Sequence, residues 1–168
     1  MISNIEQFYL EGKMVLEKLD VFFGEVGLVG LVRADHICFK CESSDEFENM
    51  RKIFEQNSAY LFQSIISARR ISVIKFVQPL ETIVGEICML ELSDQKPDGS
   101  QKSEFDHIEV YPVGKSVEEI VKFLEQKGIV VEKEAKPHHT TWDFFVDGFR
   151  VRIEECPLME KIKREEII

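Results

Sequence analysis

Two tripeptides carry the same side chains in the same order, Asp35-His36-Ile37 and Asp106-His107-Ile108, 71 residues apart (107 − 36). Imidazole titrates near neutrality, so it serves as a general acid or base and, when neutral, as a metal ligand. One such histidine alone reads as a hydrogen-bonded structural residue, whereas two in duplicated positions favour a shared chemical role. Each triplet opens a run with β-strand character. Alternation along a strand puts His36, Cys38 and Lys40 on one face, and His107, Glu109 and Tyr111 likewise. The opposite positions, Ile37 with Phe39 and Ile108 with Val110, are apolar and suited to packing under helices.

The elements around the triplets recur in the same order. After the first, Ser43-Ser44-Asp45-Glu46 starts a helix that we expect Ser44 to cap and that ends near Asn57, with Phe47, Met50, Ile53 and Phe54 as its buried stripe. Strands are expected over residues 59–66, 71–77 and 83–92, followed by a polar loop over 94–103. After the second, Ser116-Val117-Glu118-Glu119 is a capping-box start to a helix stopped by Gly128. Strands are then expected over 129–134, 141–146 and 149–154, the last two joined by an Asp147-Gly148 hairpin turn. Each half reads βαβββ, an internal duplication. The fold class expected is therefore α+β: two duplicated βαβββ modules forming a curved mixed sheet with outer helices and a concave inner face. A single domain of residues 1–168 divides into an N-terminal helical extension (1–32), a first module (33–104), a second module (105–156) and a C-terminal tail (157–168).

Composition narrows the partners. A formal charge of −10 disfavours nucleic acid, whose phosphates are bound through clustered Lys and Arg. The longest uncharged apolar stretch, Val26 to Val32, falls far below the ~20 residues that span a bilayer, and the first ten residues lack the pattern of a signal peptide. We expect a cytoplasmic protein, monomer or homodimer, with a small-molecule ligand and no nucleic-acid or membrane partner. The cysteines Cys38, Cys41, Cys88 and Cys156 read as buried small apolar residues, and the spacing of Cys38 and Cys41 along a strand puts them on opposite faces.

These residues resemble the vicinal-oxygen-chelate superfamily and, within it, the YecM-like branch. The resemblance runs from about Leu19 to Pro157. It rests on Ala34-Asp35-His36-Ile37, on Arg69 through Lys75-Phe76 followed by Pro79, on Met89-Leu90-Glu91-Leu92, on Phe105-Asp106-His107-Ile108-Glu109, and on Asp147-Gly148 before the last strand. It implies a divalent metal held by side chains from the first and fourth strands of each module. Carried over by position, the ligands are His36, Glu91, His107 and Glu154, with strand alternation favouring Glu154 over Glu155.

Imidazole and carboxylate together do not select sharply among Mn, Fe, Ni, Co and Zn. The function implied is that of a metal-dependent isomerase, lyase or dioxygenase on a small oxygenated anion, with Glu91 or Glu154 as proton shuttle; the alternative is a non-catalytic binding module of the same fold. If His36, His107 and Glu154 alone bind, they resemble a facial triad with open positions. Arg69, Lys75, Arg150 and Arg152 are candidates for gripping the anion, since guanidinium forks and ammonium groups recognise charged oxygens. Glu109 reads as an exposed carboxylate beside its strand or as a residue that orients His107 from behind, and His138-His139 as exposed loop histidines or a pair at the cleft mouth. Trp142 and Phe144 read as core.

Overall fold

A computed structural model describes residues 2–66, 68–135 and 140–165; His138 and His139 lie outside the described residues. The chain opens with α1 (Ile5–Val26), one long helix. The Asn4 side chain accepts the Gln7 backbone N–H at 2.8 Å to start it, and Gly27, at φ 86°, returns its N–H to the Phe23 carbonyl to end it. The buried stripe of α1 is Phe8, Gly12, Leu16, Leu19 and Phe23. Phe8 meets Phe39, Phe54, Phe76 and Phe105, with ring centroids 4.9 to 6.3 Å apart, so α1 binds aromatic groups from both halves of the chain into one core.

The first half is β1 (Val32–Lys40), α2 (Ser44–Asn57), β2 (Ser58–Ile66), β3 (Arg69–Thr82) and β4 (Gly85–Ser93). The second is β5 (Glu104–Pro112), α3 (Val117–Gln126), β6 (Glu132–Ala135), β7 (Thr140–Val146) and β8 (Phe149–Ile153). Together they form one eight-stranded sheet in the order β2-β3-β4-β1-β5-β8-β7-β6, in which each half is the reversed image of the other. In each half the first and fourth strands run parallel, and β1 and β5 join the halves as antiparallel neighbours. This is the duplicated βαβββ architecture expected from the repeated triplets. Ile37, Phe39, Ile108 and Val110 lie in the core under the helices, whereas His36, Cys38 and His107 do not belong to that apolar cluster.

Local details differ in three places. Ser43 rather than Ser44 caps α2, accepting the Glu46 N–H at 3.1 Å, and the Ser44 hydroxyl turns instead to Asp94 at 3.0 Å. Strand β3 continues past Pro79 because the register with β4 slips between Lys75 and Leu80, which exempts the proline from a ladder bond it cannot donate. The C-terminal tail is helical: α4 (Leu158–Glu165) follows Pro157. The Ser116 capping box and the Asp147-Gly148 turn, with φ of 48° and 84°, are as the sequence implies.

Candidate metal centre

The centre sits where β1 and β5 meet. Their register is Ala34↔Val110, His36↔Glu109, Ile37↔Ile108, Cys38↔His107 and Phe39↔Phe105. Asp35 and Asp106 are therefore each an extra residue with no partner across the ladder, and a β-bulge falls at both triplets. A bulge breaks the alternation and re-aims side chains. Each aspartate turns back on its own histidine: Asp35 Oδ2 lies 2.8 Å from His36 Nδ1, and Asp106 Oδ2 lies 2.7 Å from His107 Nδ1. In the neutral ring a carboxylate on Nδ1 keeps the proton there and leaves the Nε2 lone pair for a cation, as it does behind metal-binding histidines.

Both Nε2 atoms are buried and have no hydrogen-bond partner. The two rings stand 6.2 Å apart at 73°. Between them reaches Glu109, with carboxylate oxygens 3.5 Å from His107 Nε2 and 3.8 Å from His36 Nε2. One ligand atom from each of His36, His107 and Glu109 lies within 4.8 Å of the others, a separation that one cation with bonds of about 2.0–2.2 Å can bridge. Orphaned buried nitrogens facing a carboxylate fit a divalent cation in donor type, aim and spacing.

Glu91 flanks this group. Its Oε2 is 3.9 Å from His36 Nε2 and its Oε1 accepts the Cys38 thiol at 3.4 Å. Glu154 stands one residue beyond β8 and is buried, its backbone N–H donating to Val110. Its carboxylate takes Lys161 Nζ at 2.7 Å, while Glu155 points to solvent. Among the described residues the groups with ligand spacing are His36–His107–Glu109 and Cys38–Asp106–His107, and Glu91 and Glu154 fall outside both.

The register also shows what the duplication keeps and what it changes. In the first half, Cys38 is two residues past the histidine and Glu91 lies beside it on the fourth strand. In the second half, Glu109 is two residues past the histidine and Arg152 lies beside it. The positional counterpart of Glu91 is therefore Arg152, and Glu154 lies two residues farther along.

Electrostatics follow this crowding. Burial alone would lower the pKa of His36, but Glu109, Asp35 and Glu91 outweigh it and push it from 6.5 up to about 9. Burial opposes a charged His107 too, and Asp106 and Glu109 overcome it to raise its pKa. Burial would raise Glu109, yet the two imidazoles hold its carboxyl well below the usual carboxylate range. For Glu154, burial and then Glu109 raise the pKa against the opposing pull of Lys161. Cys38 is pushed well up by burial and by Glu91, so its thiol stays neutral.

Of the four cations singled out for anion binding, two adjoin the centre. Arg152 grips Asp143 with two bonds of 2.8 and 2.9 Å and passes 3.8 Å from Glu109. Arg150 lies 3.5 Å from both Asp106 and Asp143. Lys75 is exposed on β3, and Arg69 lines a separate open pocket of about 450 Å³ with Ser44, Arg70 and Lys96 at the start of α2. Glu109 does not stand behind His107, where Asp106 sits, but faces the Nε2 atoms of both histidines. Three further residues escaped the sequence reading. Asp35 and Asp106 were visible as repeated members of the triplets, but even alternation hid their bulges. Lys161 lay in a tail with no assigned element.

The profile of the family described as YecM protein matches residues 6–163. Among solved structures, one described as Structural Genomics, Protein EC4020 is 21% identical, with 98% of each chain covered and a TM-score of 0.69. A hypothetical protein, BH1468 from Bacillus halodurans C-125, is 13% identical over 74% of this chain and 94% of its own, with a TM-score of 0.50. A glyoxalase I mutant from Zea mays is 14% identical over 74% of this chain and 43% of its own, at 0.47. No curated protein matches the chain. The likeness to the first two of these structures is one of fold. No helix among the described residues is long and apolar enough to cross a membrane.

Proposed function

The chain belongs to the YecM family, and from that premise we propose that it binds one divalent transition metal between its two modules and acts on a small oxygenated anion, as an isomerase or lyase. The observation that carries this reading is the pair of buried, unpartnered Nε2 atoms of His36 and His107 converging on Glu109. His36, His107 and Glu109 are the fixed ligands. Glu91 is a fourth, movable ligand, since it is more exposed than Glu109 and is held by one weak thiol donor.

A divalent cation held there supplies Lewis-acid polarisation of a bound oxygen and stabilises negative charge developing on it. The protein supplies the rest. Asp35 and Asp106 fix the tautomer and orientation of the two imidazoles. Glu91, the more exposed of the two carboxylates, would be the base that takes a proton from a carbon of the ligand and returns it elsewhere. Two imidazoles and one firmly held carboxylate would hold the cation, a donor set that suits Mn, Fe, Ni, Co or Zn.

The test is elemental analysis of protein purified without chelator or affinity-tag metal, repeated on His36→Ala and His107→Ala. About one ion per chain is expected in the wild type, with loss in both variants and an intact fold by circular dichroism. Equal metal content in all three proteins would reject the centre.

A further inference from the structure

Helix α4 is laid across the centre by two contacts. Its first N–H, on Leu158, donates to Asp35 Oδ2 at 2.9 Å, and that same oxygen faces His36 Nδ1. One turn later Lys161 brings its ammonium to Glu154 at 2.7 Å and to Glu109 at 3.7 Å. The helix thus begins behind one histidine and delivers a positive charge beside the carboxylate that lies between both.

Of the other cations close by, Lys40 is bound to Asp106 and Arg152 holds Asp143 with two bonds, whereas Arg150 lies 3.5 Å from both Asp106 and Asp143 and makes no ion pair with Glu109. These side chains come from strands of the sheet. Lys161 comes from a helix of eight residues and keeps 29% of its side chain in contact with solvent. An ammonium has three donors, of which Glu154 and Glu109 occupy two at most. The third is available to an incoming acceptor.

Charge counting gives the residue a purpose. With neutral imidazoles, Glu109 and Glu91 balance a divalent ion, and Lys161 balances Glu154. Paired with Glu154, Lys161 still stands 3.7 Å from Glu109, close enough to weaken a metal's hold there and to meet a negative ligand arriving beside it. Resting on the metal reading above, we propose that Lys161 is the anion-positioning residue of the centre: carried on α4, it holds a carboxylate or phosphoryl oxygen of a substrate whose neighbouring oxygens face His36, His107 and Glu109.

The proposal has a signature of opposite signs. Wild type, Lys161→Met and Lys161→Arg are titrated with Mn²⁺ by chelator competition, and the Mn²⁺-loaded proteins with oxalate and with inorganic phosphate by calorimetry. Lys161→Met is expected to bind Mn²⁺ at least about tenfold more tightly, because a repelling charge is gone, and at least one of the two anions about tenfold more weakly. The anion that weakens identifies the class, carboxylate or phosphoryl. Lys161→Arg should stay near wild type in both measurements. Metal and anion affinities falling together in Lys161→Met would show a merely structural helix and overturn the proposal, as would unchanged anion affinities. Wild type that binds no Mn²⁺ would remove the metal reading and this one with it; wild type that binds Mn²⁺ with a silent Lys161→Met would remove this one alone.

Discussion

The first and second halves of the chain present the same imidazole on the same bulge, backed by the same aspartate, yet they divide the remaining charge differently. In the first half the residue two past the histidine is a neutral thiol, Cys38, and the carboxylate comes from the fourth strand as Glu91. In the second half the carboxylate is Glu109 on the first strand, and the fourth strand returns a cation, Arg152. Glu109 is almost enclosed and sits among two imidazoles, Arg152 and Lys161. Glu91 is more open and held by a thiol. The duplicated fold therefore keeps its geometry at the two histidines and diverges in the charges beside them; under the proposed function Glu109 would be a fixed anchor and Glu91 a movable arm.

This contrast is breakable. Its largest consequence is Glu109→Gln, which should weaken Mn²⁺ or Zn²⁺ binding by at least about a hundredfold in chelator competition, since it removes a buried anionic ligand and leaves an amide against two imidazoles. Retained affinity would place the anchor elsewhere. Next comes pH. The metal-free His36 titrates near 9 rather than 6.5, so its imidazolium contributes stability that is fully present below about 6.5 and is lost as pH rises through about 9. The metal needs the neutral ring, and affinity should climb about tenfold per pH unit across that window and level off above it. Proton release measured by calorimetry in buffers of different ionisation enthalpy checks this; a flat profile would mean that His36 is neutral before the metal arrives.

Asp35→Asn and Asp106→Asn probe what the halves share, and each should cost about tenfold in metal affinity by loosening one imidazole. Asp35→Asn should have the further effect of freeing the start of α4, visible as faster amide exchange at Leu158. Unequal affinity losses would show that the two bulges are not equivalent. The smallest effect is expected for Glu91→Gln: a severalfold loss of metal affinity, as befits an arm that leaves the cation, alongside a much larger loss of any turnover. An affinity loss matching that of Glu109→Gln would erase the distinction between anchor and arm.

Much of this was legible in the sequence for physical reasons. The repeated Asp-His-Ile, the Ser116 capping box and the Asp147-Gly148 turn each have local causes, so the duplicated βαβββ order follows from residues close together in the chain. The exchange of carboxylates between strands was hidden, because it depends on which residue of one strand lies beside which residue of another. Position alone points to Glu154, whereas the ladder sets Arg152 beside Glu109. The bulges at Asp35 and Asp106 are likewise properties of a strand pair. Helix α4 has only Leu158, Met159 and Ile162 as apolar residues among charged ones, too short a pattern to announce itself.

The antiparallel seam between β1 and β5 has one more consequence, for how the molecule comes into being. His36 and His107 are separated by most of a module, and the ladder that brings them face to face cannot form until the chain through β5 has been made and folded. Such distant pairings carry a loop-closure cost and tend to form after local structure. Neither half alone owns the complete ligand set proposed, so a metal ion would bind tightly only to the joined form and stabilise it by mass action. The ion would then report finished folding: separately produced halves should bind it weakly one at a time and tightly only when mixed, at the moment when the two strands zip together.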